Sequence, residues 1–127
     1  MLYRIRLHLA RSQEFPNGSV RHGYELLAPL DAAGHLDEHE WRRERERCTA
    51  RRFWAGESDQ IGQLRHSSGG RDGATWMIDY DIDASDDDER GYRLDRHAFA
   101  PGEYITLSDQ QKAHTFRVAA VEPASEE

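Results

Sequence analysis

The chain opens with MLYRIRLHLA, residues 1–10, and the order of residue types in this stretch points to the fold class. Tyr3, Ile5, Leu7 and Leu9 are apolar, while Arg4, Arg6 and His8 stand between them. Alternation of period two sends the two sets to opposite faces of an extended chain. The segment therefore reads as a strand half buried against a core. The same alternation breaks up the continuous apolar run that a secretory signal needs, so we expect no such signal.

Period two recurs downstream. YELLAPL (24–30) follows a turn at Pro16 and Asn17-Gly18 and reads as a short strand, with Pro29 at its end or on an edge. In TWMIDYDID (75–83), Trp76, Ile78, Tyr80 and Ile82 face one way, and Met77, Asp79, Asp81 and Asp83 the other. The Gly69-Gly70 and Asp72-Gly73 pairs before it support a hairpin loop. Further short strands are expected in GYRLDRHAF, PGEYITLS and AHTFRVAAVEP. Phe53 and Trp54 are adjacent, which predicts a bulge or an edge packed on both sides.

One segment has helical grammar, LDEHEWRRERERC (36–48). Asp37 can cap it, Glu40 falls at the third helical position, and Leu36 and Trp41 occupy the two places of a hydrophobic staple. No apolar face continues beyond Trp41 until Cys48, so the helix should be short. Many short strands, closely spaced turns and one helix predict a mainly β fold: a small β-barrel or a strongly folded antiparallel sheet. A chain of 127 residues suits one core. We expect a single barrel-like domain over 1–122 and a disordered tail over 123–127.

The hydrophobic fraction is 37% and the charged fraction 32%, with a formal net charge of -7. The stretch DYDIDASDDDE (79–89) holds seven carboxylates and no cation, so it accounts for the whole excess. Such a chain is poorly suited to binding a phosphate backbone, which makes nucleic acid a disfavoured partner. No apolar run is long enough to span a membrane as a helix. The single cysteine, Cys48, excludes an internal disulfide and a multi-cysteine zinc site. The expected location is cytoplasmic.

Three segments together resemble a family of small uncharacterised bacterial proteins: GYELLAPLDAAGHLD, the residues from Cys48 to Gly62, and HAFAPGEY followed by HTFRV. The resemblance covers most of the chain and implies no catalytic residues. FAPGEYITL separately resembles the strand-turn-strand wording of the flavin-binding barrels in ferredoxin-reductase-like proteins. The nucleotide-binding domain that accompanies those barrels has no room in this chain, and we expect no cofactor.

Asp79, Asp81 and Asp83 match positions 1, 3 and 5 of a calcium loop, which needs closely spaced hard oxygen ligands. Ala84 replaces the turn glycine and Arg90 the bidentate glutamate, so an EF-hand is not expected. A looser cation site would join Asp81 or Asp83 to Asp86 or its neighbours. The plainer expectation is the polar face of a strand running into a solvated loop, with Arg4, Arg6 and His8 as cross-strand partners for Asp79 and Asp81.

His97, His114 and Glu103 are candidates to line one end of a barrel, and Cys48 is a candidate nucleophile beside a histidine. A lone cysteine is more often a small buried hydrophobe. Arg51, Arg52, Phe53 and Trp54 are the candidate contacts of a nucleic acid, by stacking and backbone contacts, although packing and surface salt bridges explain them equally well; Trp54 and Phe99 are also candidates for a partner-binding patch.

Three functional classes follow. The leading expectation is a non-catalytic barrel module that binds a protein or a small ligand, with an exposed aromatic patch drawn from Trp54, Trp41 or Phe99. The second is an enzyme in which Asp79 or Asp81 converges with His97 and Glu103. The third is a nucleic-acid binder, which requires a continuous positive surface.

Overall fold

The computed structural model describes residues 2–67, 75–80, 92–94, 98–108 and 113–124. Its strands are β1 (Leu2–Leu9), β2 (Ser19–Pro29), β3 (Thr49–Trp54), β4 (Gln60–Ser67), β5 (Thr75–Asp79), β6 (Tyr92–Leu94), β7 (Tyr104–Ser108) and β8 (Ala113–Pro123). A single helix, α1 (Glu38–Glu44), lies between β2 and β3. Each strand pairs antiparallel with the next, and β8 returns to pair with β1, so the sheet closes into an up-and-down barrel. Closure removes the exposed edges that eight strands would otherwise present.

The period-two pattern decides which residues fill the barrel. Ile5, Leu7 and Leu9 of β1 point inward, with Tyr24, Leu26 and Ala28 of β2 and Phe116 and Val118 of β8. Ala50, Leu64, Ile78, Ile105 and Leu107 complete the core. Each such aliphatic side chain contributes about 1.5–3 kcal/mol on full burial. β2 is longer than expected, beginning at Ser19, and it ends at Pro29 as anticipated. Pro123 belongs to β8, and the Ala124 N–H donates to Leu2 O at 2.9 Å, so the ordered strand passes the expected boundary at 122. Residues 125–127, and the predicted hairpin loop around Gly69-Gly70 and Asp72-Gly73, lie outside the described residues.

Phe53 and Trp54 are not at a bulge, since the β2–β3 register runs through them without a shift. They do stand at an edge of the ladder: β3 pairs with β4 over Thr49–Arg52, and Phe53 and Trp54 pair with β2 alone, their rings on opposite faces. The register shifts fall in β1 instead, between Arg6 and Leu7 against β8 and between His8 and Leu9 against β2. Gly23 sits opposite His8 and Phe53, where a Cβ would run into the Leu7 carbonyl oxygen. Only a residue without a side chain lets β2 follow β1 that closely.

One end of the barrel is closed by α1 and two connections. Asp37 caps the helix, accepting from the Glu40 N–H at 3.2 Å, as the sequence predicts. Trp41 is buried, and its Nε1–H donates to Leu64 O at 2.9 Å. Its ring lies 5.6 Å from that of Trp76 and 5.9 Å from that of His66. Phe99 is buried too, with its N–H donating to Gly34 O at 2.8 Å. Pro101 and Gly102 make the turn into β7, where the Glu103 N–H donates to Ala100 O and Gly102 has φ +93. Positive φ at the third residue of a turn is why glycine stands there.

The expected pairing of Arg4, Arg6 and His8 with the acidic strand does not form. β1 lies between β2 and β8, whereas β5 lies between β4 and β6. Arg6 instead meets Glu25 of β2 at 2.9 Å, and Asp79 meets Arg65 of β4 at 2.9 Å. Nearest neighbours in a meander barrel supply the ion pairs.

Candidate functional site

The end of the barrel opposite α1 has a different lining. Inward positions there carry rings and cations: His22 at the start of β2, Arg52 and Trp54 at the end of β3, and His114 at the start of β8. Each follows from strand parity. His22 continues the inward series of Tyr24, Leu26 and Ala28, Arg52 and Trp54 continue from Ala50, and His114 precedes Phe116 and Val118.

The rings form a ladder. Phe15, from the β1–β2 connection, lies 4.7 Å from His22; His22 meets Trp54 edge-on at 4.4 Å; Trp54 lies 5.5 Å from His114. The Arg52 guanidinium sits 4.4 Å above the Trp54 ring, a cation–π distance, and pairs with Glu57 at 3.0 Å. A cavity of about 330 Å³ adjoins Phe15 and His114, with Leu9, Arg11, Glu14 and Thr115 in its walls; His22, Arg52 and Trp54 lie beside it and do not line it. That volume is within the range of small-ligand sites.

Ser19 Oγ lies 2.6 Å from His22 Nδ1 and accepts from the Arg21 N–H at 3.1 Å. With its lone pairs engaged by the turn, the hydroxyl holds the imidazole in place at the strand's first residues. The ring's flanks are taken by Phe15 and Trp54. A stacking surface with one delocalised cation and two imidazoles is suited to holding a planar ring and an attached anionic group.

Parity divides the sequence-predicted binding set. Arg52 and Trp54 come together at the open end. Arg51 is on the outer face, 2.8 Å from Asp59, 3.6 Å from Glu25 and 5.1 Å from the Phe53 ring centre. Phe99 and Trp41 are 2% and 6% exposed at the closed end, so neither belongs to a surface patch. The expected aromatic patch therefore loses both, because their rings fill the end of the barrel. His22 and Phe15 were missed, although the parity of HGYELLA already placed His22 on the core side.

Of the proposed acid–base groups, the described ones, Asp79, Glu103 and His114, stand apart. Asp79 is on the outer face of β5 beside Arg65. Glu103 is exposed in the turn before β7, its carbonyl accepting from the Val118 N–H at 2.8 Å, on the same side of the barrel as the Gly34–Phe99 contact. His114 lies at the other end of the β7–β8 hairpin, opposite Leu107. His97, Asp81, Asp83 and Asp86 lie outside the described residues. Cys48 is fully buried, and desolvation, aided by Glu44, pushes its thiol up to about 11. Its Sγ donates to Glu44 O at 3.4 Å, closing the last helical turn.

Among the described residues no group of three or more His, Cys, Asp or Glu side chains is placed to hold a metal ion. No helix among them is long and apolar enough to cross a membrane. Compared with protein-family models, with curated proteins and with solved structures, the chain matches none.

Proposed function

We propose, from geometry alone, that this chain is a non-catalytic barrel module whose open end binds a small planar ligand bearing an anionic group. The observation that carries the proposal is the ladder Phe15–His22–Trp54–His114 with Arg52 stacked on Trp54. An eight-stranded barrel is just wide enough to be filled by side chains or to hold one small ligand. Here the apolar filling occupies the middle and the α1 end, so the rings are left as the lining of the mouth. Stacking on aromatic side chains is worth about 1–3 kcal/mol per ring in comparable sites. A cytoplasmic location belongs to the same proposal.

Titration with 8-anilinonaphthalene-1-sulfonate, an aromatic sulfonate, tests this reading, with circular dichroism confirming that each variant is folded. Saturable binding at one site is expected, weakened about tenfold or more in Trp54→Ala and in Arg52→Gln. Equal binding by wild type and by folded Trp54→Ala overturns the proposal, as does dye binding that appears only on partial unfolding.

A further inference from the structure

The outer face of the barrel carries a second arrangement of donors. β1, β8 and β7 are adjacent strands, and their registers set His8 opposite Arg117 and Arg117 opposite Tyr104. Directly opposed residues on neighbouring strands have Cβ atoms about 5 Å apart and project the same way. The three side chains therefore stand in one row across three strands. A groove of about 940 Å³ lies along the row, and the β1–β2 connection brings Arg11 and Asn17 to its other wall.

The charge of this groove runs against that of the chain. Its walls include His8, Arg11 and Arg117 and, among the described residues, no Asp or Glu. Elsewhere Arg6, Arg42, Arg47, Arg51, Arg52 and Arg65 each pair with a carboxylate. Arg11 and Arg117 have no carboxylate partner among the described residues. Two arginines that line one groove, with no described carboxylate among its walls, are suited to share an anion.

We propose that the His8–Arg117–Tyr104 row, closed over by Arg11, binds a small multivalent oxyanion, a ligand carrying two or more carboxylate or phosphate groups. Arg11 and Arg117 supply forked donors, and the Tyr104 hydroxyl and Asn17 amide supply neutral ones. Two arginines on separate elements, with His8 beside one of them, favour a ligand with at least two anionic groups over a single oxyanion. His8 reports on occupancy. Burial, with Arg6 on its own strand, pushes its imidazole below the ordinary 6.5. The groups that face it from neighbouring strands are Gly23 of β2, Phe53 of β3 and Arg117 of β8. An anion beside it would favour the imidazolium and raise its midpoint.

This inference does not depend on the ligand proposed for the open end, although Leu9, Arg11 and Thr115 line both recesses. NMR titration of the full chain at fixed ionic strength, with pyrophosphate and citrate as probes, tests it directly. The expected result is saturable shifts at residues 8, 11, 104 and 117 and a rise in the His8 midpoint. The tighter probe identifies phosphate or carboxylate as the preferred group. Arg117→Gln and, separately, Arg11→Gln should each weaken binding about tenfold or more, whereas Arg4→Gln, exposed on the same face of β1, should leave it unchanged. Shifts that grow linearly without saturation overturn the proposal, as does an equal loss in Arg4→Gln or the absence of any shift with both probes.

Discussion

The indole of Trp41 donates its Nε1–H to the carbonyl of Leu64 at 2.9 Å, and this bond ties α1 to the wall of the barrel. Leu64 is also held from the other side, its N–H donating to Cys48 O at 3.0 Å. The helix is seven residues long and has no apolar face beyond Trp41, so it cannot be stable by itself. Its ends are tied by the Asp37 N–H to Pro29 O at 3.0 Å and by Cys48 Sγ to Glu44 O, and Trp41 is its buried anchor.

Trp41→Phe should keep most of the packing and lose the donor, leaving the Leu64 carbonyl buried without it. Destabilisation of about 1–3 kcal/mol is expected, against about 3–5 kcal/mol for Trp41→Ala. Urea unfolding followed by circular dichroism measures both. Equal stability of Trp41→Phe and wild type would show that the hydrogen bond carries nothing.

Gly23 and Gly102 should respond differently to alanine. At Gly23 the new Cβ collides with the backbone of β1, so Gly23→Ala should cost about 3 kcal/mol or more. Gly102 has φ +93 but nothing within 4 Å of the added carbon, so Gly102→Ala should cost about 1–2 kcal/mol of backbone strain. Thermal melting ranks the two, and the reverse order would contradict the β1–β2 register.

The buried thiol of Cys48, pushed up to about 11, should not react with iodoacetamide at pH 8 in the folded protein and should react fully in denaturant. Its folded value lies above the ordinary 9.0, so its contribution to stability is complete below pH 9. That contribution falls as the pH rises toward 11, because the unfolded thiol ionises first. Cys48→Ala should flatten this alkaline loss in a series of unfolding curves.

Glu25 behaves in the opposite sense. The Arg6 hydrogen bond, against some desolvation and with help from Arg51 and Arg4, holds its carboxyl below 4.5. The stability this adds is present above pH 4.5 and disappears as the pH falls through the lowered value. Arg6→Ala should therefore cost up to about 1 kcal/mol at pH 6 and less at pH 3. A cost that does not change with pH would assign the effect of Arg6 to packing.

Much of the barrel can be read from the residues. Period two identified the core faces of β1 and β5 because one side of every strand in a closed barrel must be apolar, and it marked the segments of β7 and β8 as strands. Asp37, Glu40 and Trp41 announced the helix through capping chemistry, which is local. The inward placement of Arg52, Trp54 and His114 came from the register of the folded sheet, and in sequence they are separated by up to sixty-two residues. Nothing local says that these faces meet.

What the sequence by itself determined is therefore the strand segments, the inward faces of β1 and β5 and the capped helix, since these depend on contacts within a few residues. The tertiary structure decided which strands are neighbours. Register put Asp79 beside Arg65 in place of β1, drew Phe99 and Trp41 into the closed end, and set His8, Arg117 and Tyr104 in one row. Alternation gives each residue a face but no partner; the partner comes from hydrogen-bond pairing around a closed sheet, which every strand must satisfy at once.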